Sequence, residues 1–383
     1  MFYNRNSSIK LLIAVCLVLV LYCSCNWKQQ NESNSNLFKN TDTVSAFGPN
    51  AMVRDIIQSK NGDILFTASR VGVFRYNGKS FTNITSKIGR RRFWNILEDK
   101  RGDLWISTTD SGIYRYNGKS FQHFTTKQGL VNNAASAIYE DRKGIIWFGT
   151  GGGISRYDGK KFQNFTIKNG LPHNAVHTFM EDKSGKLWIG TNGETATFDG
   201  KGFTILRNQN GEPFTNVWSV VEDKKGQVWF GATIIDAIKE NKKIVSVGLW
   251  RYDGISFKKI NQNVVSDMTE DKEGNLWTIG SLHPNGVGRW RFSRYSLHSL
   301  YDEKLDITEI FSIEKMLCGI LEANDGSIWF GSLSGLYQFD GKSIIDFKDK
   351  SRKVVQEITH SSPVLSKQKT TGKNLPSNAI PSP

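Results

Sequence analysis

Short runs of alternating apolar and polar residues fill most of this chain. Between Ala175 and Leu206 they read AVHTFMED, KLWIGT, TATFDG and GFTIL, and the runs are bounded by turn-forming Gly, Asp or Asn. A period of two places successive side chains on opposite faces of an extended strand, whereas a helix needs a period of about 3.6 residues. The pattern therefore predicts units of four short strands.

The four-strand unit occurs seven times. Its marker is a glycine in the turn D-x-x-G-x-[ILV]-W, and these glycines are Gly62, Gly102, Gly144, Gly185, Gly226, Gly274 and Gly326. Their spacings of 40, 42, 41, 41, 48 and 52 residues are too long for leucine-rich or ankyrin repeats and fit a four-stranded propeller blade. The sequence thus predicts an all-β fold, a seven-bladed β-propeller with four antiparallel strands per blade.

One tryptophan stands at the same strand position in almost every unit. These residues are Trp105, Trp147, Trp188, Trp229, Trp277 and Trp329, with Leu65 in the first unit. Periodic aromatics of this kind fill the space between stacked sheets. One blade cannot cover its own apolar faces, so the unit must be repeated until a ring closes.

The segments EDRKGIIWFGTGGGISRYDG and LPHNAVHTFMEDKSGKLWIGT resemble the two-component regulator propeller repeat. That repeat is found in the extracytoplasmic sensor regions of bacterial hybrid histidine kinases and in free-standing lipoproteins. The resemblance covers about residues 45–348. In the kinases a β-sandwich, a membrane helix and a kinase domain follow the propeller, and none of these is expected here. The resemblance therefore implies a sensor or binding module without kinase chemistry.

The start of the chain has the features of a lipoprotein signal peptide. Basic Arg5 and Lys10 precede an apolar run from Leu11 to Leu21, which is shorter than the roughly 20 residues that span a bilayer. Cys25 follows a small residue, as in a relaxed lipobox, and is the expected lipidation site. Plain secretion and an uncleaved anchor are the alternatives. We expect an exported lipoprotein that faces the periplasm or the cell surface and contacts the membrane through its lipid anchor only.

The predicted organisation has four parts. They are a signal peptide (1–24), a flexible tether (25–40), the propeller (41–348) and a disordered tail rich in Ser, Thr, Lys and Pro (349–383). Two candidates for the outermost strand of the seventh blade stay open: the N-terminal DTVSAFG and the C-terminal KSIIDFK.

Charge and cysteine content change this picture little. The formal charge is +14, but export disfavours nucleic acid as a partner, and lysines scattered through hairpin turns are expected to be solvated. Cys16 and Cys23 would leave with the signal peptide, so Cys318 would be the one free thiol, expected to be buried and inert. We expect no metal, cofactor or nucleic acid to be bound. We expect the protein to be a monomer.

Two positions near the start of each repeat unit are predicted to line the central channel. Four residues before the turn Asp the chain holds small or polar residues, which we call the channel ring: Asp55, Asn95, Ala137, Thr178, Ser219, Asp267 and Gly319. One residue earlier it holds a more diverse set, which we call the mouth residues: Arg54, Trp94, Ser136, His177, Trp218, Ser266 and Cys318. Diversity at one fixed position of a repeat is typical of a binding face.

The candidate ligand site is the channel mouth. It comprises Arg54, Arg91, Arg92, Trp94, His173, His177 and Trp218. Arginine forks match carboxylates or sulfates, and tryptophan faces stack on sugar rings, so an anionic or sugar-like ligand is indicated. The alternative is that the tryptophans pack between blades and the arginines are solvated.

Three functions compete on this evidence. The first is a non-enzymatic sensory or accessory lipoprotein that binds a small ligand or an envelope signalling protein. The second is a protein-interaction scaffold of the cell envelope. The third is a metal-dependent propeller lyase or hydrolase, for which His177 with Asp55 or Asp267 would be the nearest catalytic set. The chain shows no other catalytic motif in a supporting context, so a non-enzyme is expected.

Overall fold

The computed structural model describes residues 43–239, 242–283, 288–348 and 353–357. In these ranges the strands form seven antiparallel sheets of four or five strands each, which confirms the predicted seven-bladed β-propeller. No helix in these ranges is long and apolar enough to cross a membrane. The predicted signal peptide, the tether and Cys25 lie outside the described residues.

The first four blades are formed by β1 to β17. Their bounds are β1 (Val44–Ser45), β2 (Val53–Gln58), β3 (Ile64–Ala68), β4 (Gly72–Tyr76) and β5 (Phe81–Asn83) in blade 1; β6 (Phe93–Glu98), β7 (Leu104–Thr108), β8 (Gly112–Tyr116) and β9 (Phe121–Phe124) in blade 2; β10 (Ala135–Glu140), β11 (Ile146–Thr150), β12 (Gly153–Tyr157) and β13 (Phe162–Phe165) in blade 3; and β14 (Val176–Glu181), β15 (Leu187–Thr191), β16 (Ala196–Phe198) and β17 (Phe203–Ile205) in blade 4. Three short 3₁₀ helices follow the first three blades: Ser86–Ile88, Thr126–Gln128 and Ile167–Asn169.

The last three blades are formed by β18 to β30. Their bounds are β18 (Val220–Glu222), β19 (Val228–Lys239), β20 (Lys242–Tyr252) and β21 (Phe257–Asn261) in blade 5; β22 (Asp267–Glu270), β23 (Leu276–Ser281), β24 (Trp290–Tyr295) and β25 (Ile307–Ile313) in blade 6; and β26 (Leu317–Glu322), β27 (Ile328–Ser332), β28 (Gly335–Phe339), β29 (Ser343–Asp346) and β30 (Lys353–Glu357) in blade 7. The 48-residue spacing found in the sequence corresponds to the long β19–β20 hairpin of blade 5.

The hydrophobic core is divided among the blade junctions. Seven buried clusters occur in the described residues, one between each pair of neighbouring blades, including blades 7 and 1. The six periodic tryptophans are all buried, with at most 5% of their surface exposed. Trp188, for example, lies 5.7 Å from the ring of Tyr252 in the next blade. The predicted packing role of these residues is therefore observed.

A hydrogen bond couples five of the six tryptophans to the aspartate of their turn, while Trp329 Nε1 in blade 7 donates to Ser327 Oγ. In blade 4, Trp188 Nε1 donates to Asp182 Oδ2 at 2.9 Å, and Asp182 Oδ1 accepts the backbone amides of Ser184 and Lys186. The same indole bond recurs in blades 2, 3, 5 and 6. Blade 1 has neither partner, since Ser59 and Leu65 stand at the two positions. A buried carboxylate is tolerated here because the indole and the turn amides satisfy it.

A glycine in the second strand lets neighbouring blades approach closely near the channel. A Cβ on Gly190 would lie 2.5 Å from the carbonyl oxygen of Val217, and one on Gly331 would lie 2.3 Å from that of Val53. Blade 1 uses Thr67 instead, and its hydroxyl donates to the carbonyl oxygen of Trp94 at 3.0 Å. Contact between the backbones of adjacent blades therefore replaces side-chain packing at this end.

The turns at the opposite end from these glycines connect each blade to the next. The amide of Lys100 donates to Glu140 Oε2, and its Nζ donates to the carbonyl oxygens of Asp141 and Arg142. Equivalent contacts are made by Lys60, Arg142, Lys183, Lys224 and Lys272. These turn residues therefore give part of the positive charge a structural role. The sequence pattern pointed only to the lysines of the hairpins, which are a different set.

The ring closes without exchange of a strand between its ends. KSIIDFK supplies β29, the fourth strand of blade 7, while the N-terminal segment supplies β1 as a fifth strand of blade 1. The N-terminal alternative for the seventh blade is therefore wrong. Trp329 packs on Tyr76 across the seam, and the amide of Gly48 donates to the carbonyl oxygen of Phe347 at 2.7 Å.

The predicted disordered tail is ordered over one short stretch. Lys353–Glu357 forms β30 and pairs with β29 as an additional edge strand. An exposed sheet edge offers unpaired amides and carbonyls, which an adjacent extended segment can satisfy despite a polar composition. The remainder of 349–383 lies outside the described residues.

Removal of the buried turn carboxylate should destabilise the propeller. In an Asp182→Ala variant, Trp188 Nε1 and two turn amides lose their acceptor, which we expect to cost about 1–3 kcal/mol of unfolding free energy. Urea unfolding followed by tryptophan fluorescence measures this loss. Asp199→Ala, in an exposed hairpin turn, is the control, and equal losses in the two variants would contradict a special role of the buried residue.

The seam between blades 7 and 1 offers a second prediction. There the amide of Asn324 donates to Gln58 Oε1, where the other six junctions use a basic residue and a glutamate. The double variant Gln58→Glu/Asn324→Lys should reproduce the clamp of those junctions and raise the unfolding free energy by about 0.5–1 kcal/mol. Thermal melts of the double and single variants test this. A double variant that is no more stable than the single variants would refute this prediction.

Candidate functional site

The mouth residues stand where the regular pairing of the first strand is interrupted or has not begun. The strand register shifts at Arg54, Ser136 and His177, and also next to Trp94 and Cys318. The extra residue of a bulge is left out of the strand ladder, so its side chain is redirected and is not fixed by cross-strand packing. In blades 5 and 6 there is no bulge, and Trp218 and Ser266 precede the first strand.

The seven mouth residues lie around one cavity. It has a volume of about 560 Å³ and is lined by all seven, together with Asp55, Asn95, Thr178, Asp267 and Gly319 of the channel ring. Ala137 and Ser219 of the channel ring do not contribute to the lining. The volume falls within the roughly 300–1,000 Å³ of small-molecule sites. The predicted mouth is thus a real concavity at one end of the channel.

Four planar side chains from four blades stack across this cavity. Arg54 Cζ lies 4.0 Å from the ring centroid of Trp94 and 5.5 Å from that of Trp218. The other neighbour of Trp218 is His177, at 3.9 Å between ring centroids and 10° between ring planes. The guanidinium of Arg54 and the ring of Trp218 are therefore each close to two planar neighbours. Stacking of a sugar ring on Trp218, one of the sequence-based expectations, has little room.

The edge of the Arg54 guanidinium remains available. Its NH1 donates to Cys318 Sγ at 3.6 Å, which is a weak acceptor, and the ion pairs among the described residues do not include Arg54. A guanidinium carries five donors in one plane, and two aromatic faces hold that plane in place here. The site therefore presents an oriented cation with donors to spare.

Residues of the channel ring bond neighbouring blades together below the mouth. Asp55 Oδ2 accepts from the Asn95 side chain and from the Ile96 amide, and Asn95 Oδ1 accepts from the Ile138 amide at 2.9 Å. On the other side of the ring, Ser219 Oγ donates to Asp267 Oδ1 at 2.9 Å. The polar ring expected from the sequence thus has a structural function in addition to lining the channel.

Two ring carboxyl groups have unusual acidity. Burial raises the pKa of Asp55 to about 7, the negative charge of Asp267 adds to this, and the amides of Ile96 and Ile56 oppose it. Burial also raises the pKa of Asp267 to about 6, against the hydrogen bonds from Ser219 and Met268. Both side chains are half-buried and line the cavity. The floor of the mouth therefore titrates near neutral pH.

Three of the predicted ligand residues lie off the cavity. Arg91 Nε donates to the hydroxyl of Tyr114 at 3.3 Å, and Arg92 is exposed with its amide bonded to Asp110. His173 Nδ1 accepts the amide of Ala175 at 3.1 Å, as Asn132 accepts that of Ala134 in the preceding blade. None of the three lines the cavity, and their role in ligand binding stays a prediction.

The sequence analysis missed part of the cavity wall. Thr233, Val247 and Gly248 from the long hairpin of blade 5, and Trp290 from blade 6, line the same space. The 48-residue spacing of the fifth unit was the sequence signal that could have drawn attention to this hairpin.

The described residues contain no group of three or more His, Cys, Asp and Glu side chains that could hold a metal ion. The charged groups that line the cavity are Arg54, Asp55 and Asp267. Burial lowers the pKa of His177, and the positive charge of Arg54 adds to this. The site is therefore suited to recognition by charge and hydrogen bonding.

Fold and site together define a propeller with one variable mouth. Within it, residues 88–110, 129–152, 170–193 and 211–233 match the two component regulator propeller family. The chain thus contains two-component regulator propeller repeats, which confirms the resemblance found in the sequence. No curated protein matches the chain.

Solved structures share the fold at low sequence identity. The extracellular domain of a hybrid two component system from B. thetaiotaomicron is 21% identical with a TM-score of 0.56, and the match covers 76% of this chain but only 39% of that one. Virginiamycin B lyase from Staphylococcus aureus is 15% identical with a TM-score of 0.52, over 77% of this chain and 99% of the lyase. PorZ, a surface component of the type-IX secretion system of Porphyromonas gingivalis, is 15% identical with a TM-score of 0.50, over 73% and 45%. The fold is thus shared by the extracellular domain of a hybrid two component system and by a lyase, so the fold alone does not decide the function.

The raised pKa of Asp55 predicts a pH-dependent stability. A carboxyl group whose pKa rises from 3.8 to about 7 on folding contributes stability at acid pH that is lost as the pH rises through about 7. The wild type should therefore lose on the order of 1–2 kcal/mol relative to Asp55→Asn between pH 4.5 and 8, because cavity water moderates the full effect.

Denaturant unfolding of both proteins at pH 4.5, 6 and 8 measures this difference. Asp158→Asn, in an exposed hairpin turn where backbone hydrogen bonds lower the pKa, is the matched control and should show no change in this range. A constant difference between the wild type and Asp55→Asn would contradict the prediction.

Proposed function

We propose that this protein is an exported sensory or accessory binding protein that holds a small anionic ligand at its channel mouth. The observation that carries the proposal is Arg54, which stacks on Trp94, lies near Trp218 and lines the cavity. A clamped guanidinium loses little conformational freedom when it binds a carboxylate or sulfate, so it is suited to recognition.

The repeat family supports a sensory role. The chain carries two-component regulator propeller repeats, and the fold is shared with the extracellular domain of a hybrid two component system. An exported location follows from the same likeness and from the signal-like start of the sequence. Lipidation at Cys25 and coupling to a separate envelope signalling protein complete the proposal.

The design of the mouth favours ligand binding over a purely structural scaffold. A scaffold would need residues at the mouth only to fill space, and apolar side chains would do so without the cost of desolvating a charge. Here a cation, two carboxyl groups and a histidine face one cavity, and they come from blades 1, 4 and 6. Convergence of polar groups from separate blades on one concavity is typical of ligand sites.

Binding assays with matched variants test this function. The folded propeller would be screened by thermal shift with acidic oligosaccharides, with neutral sugars and with sulfated oligosaccharides, and hits would be measured by calorimetry. Arg54→Lys keeps the charge but loses the fork, so it should weaken binding of an acidic hit at least tenfold, equivalent to about 1.4 kcal/mol.

Arg156→Lys is the control. Arg156 lies 5.5 Å from the ring of Trp147, as Arg54 lies beside its tryptophans, but it is outside the cavity. Its replacement should leave binding unchanged. Equal weakening by both variants, or no hit among the three ligand classes, would count against the proposed function.

A further inference from the structure

Resting on the proposed function, we infer that the mouth takes up a carboxylate-bearing ligand together with a proton. The carboxylate would lie at the edge of the Arg54 guanidinium, and the proton would reside on the acidic pair formed by Asp55 and Asp267. The inference specifies both the ligand class and the condition under which the site is filled.

The balance of charge in the cavity is the first reason. Among the described residues, its charged lining consists of one arginine and two aspartates, so with both carboxyl groups ionised it is net negative. An anion at Arg54 would add further negative charge in a space with restricted water. Protonation of one aspartate leaves the arginine and a single carboxylate, and the anion then meets an electrically neutral cavity.

The position of the acidic pair is the second reason. Asp55 directly follows the clamped arginine on β2, and Asp267 stands at the same register on β22, so both belong to the floor of the same mouth. Both respond to the charge of Arg54, and the charge of Asp267 also acts on Asp55. Any ligand charge held by Arg54 therefore acts on the pair directly.

The hydrogen bonds of the pair can tolerate a proton. Asp55 Oδ1 accepts one backbone amide, while Oδ2 accepts from Asn95 and from a second amide. Asp267 Oδ1 accepts from Ser219 and from the amide of Met268. Each carboxyl group is held in place by donors from its own and neighbouring blades, so a change of protonation need not displace it.

The pKa shifts of the other titratable groups at the mouth favour their neutral forms. Burial lowers the pKa of His177, and the positive charge of Arg54 adds to this. Burial raises the pKa of the Cys318 thiol, although Arg54 opposes this. These groups face the cavity from blades 4 and 7, and neither supplies a charge that would compensate the aspartates.

The carboxylate is favoured over other anions by the geometry of the arginine. Arg54 lies over the ring of Trp94 and near that of Trp218, so the edge of the guanidinium is the part left to a ligand. A planar carboxylate forms two parallel hydrogen bonds with such an edge.

Calorimetric titration of the wild type with digalacturonate tests the inference. The carboxyl groups of this probe ionise below about pH 4, so its own charge is constant from pH 5.5 to 8. We expect the Kd to rise about fivefold or more between these two pH values, as linkage to one proton requires. Repeating the titration at pH 7 in two buffers of different ionisation enthalpy should show uptake of roughly half a proton per ligand.

Substitutions of the two aspartates show which side chain takes up the proton. Asp55→Asn should reduce the proton uptake at pH 7 and bring the Kd at pH 8 close to its value at pH 5.5. Asp199→Asn, an exposed hairpin substitution, should keep the pH dependence of the wild type. The wild-type measurement in two buffers remains decisive if Asp55→Asn proves unstable.

The outcomes separate the two proposals. Absence of digalacturonate binding at every pH, or equal binding by the uncharged galactose disaccharide, would overturn the carboxylate site itself. Binding with the same Kd at pH 5.5 and 8 and without proton uptake would overturn the coupling and leave the proposed site in place. Proton uptake that persists in Asp55→Asn and in Asp267→Asn would show that the acidic pair is not its source.

Discussion

Every other feature of this protein depends on burial of the faces of each blade against its neighbours. The periodic tryptophans pack at six of these junctions beside buried Phe and Tyr, and the aspartate of the adjoining turn satisfies the indole nitrogen in five of them. The aspartate has two roles, because the carboxylate that accepts the indole hydrogen bond also fixes the turn through backbone amides. Packing between blades and local turn structure are therefore specified by the same residues.

The two ends of the propeller use polar side chains in different ways. At the turn end, basic residues bind the carbonyl oxygens of the next blade, and this bond repeats with little change around the ring. At the mouth, a bulge releases Arg54, Ser136 and His177 from the strand ladder in blades 1, 3 and 4. Repetition at one end supplies the rigidity that lets the other end vary, which is how many folds separate stability from function.

The mouth combines a fixed cation with an adjustable acidic floor. Arg54 is fixed by stacking, whereas Asp55 and Asp267 change their charge near neutral pH because burial disfavours ionisation. A site of this composition can match the charge of its contents through protonation, without movement of the backbone. The mouth residues and the channel-ring residues that bond the blades together are neighbours in sequence, so the mouth is anchored in the contacts between blades.

The sequence by itself determined the fold and the register of the site. Strand alternation, the glycine turns and the spaced tryptophans specify a blade, and the repeat count specifies the ring, because these signals are local and occur seven times. Only the tertiary structure decided which side chains meet: Arg54 reaches tryptophans of blades 2 and 5, whereas Arg91 turns away to Tyr114. It also placed the blade 5 hairpin in the cavity wall. Such contacts depend on bulge geometry and on distances across the ring, which a one-dimensional pattern does not contain.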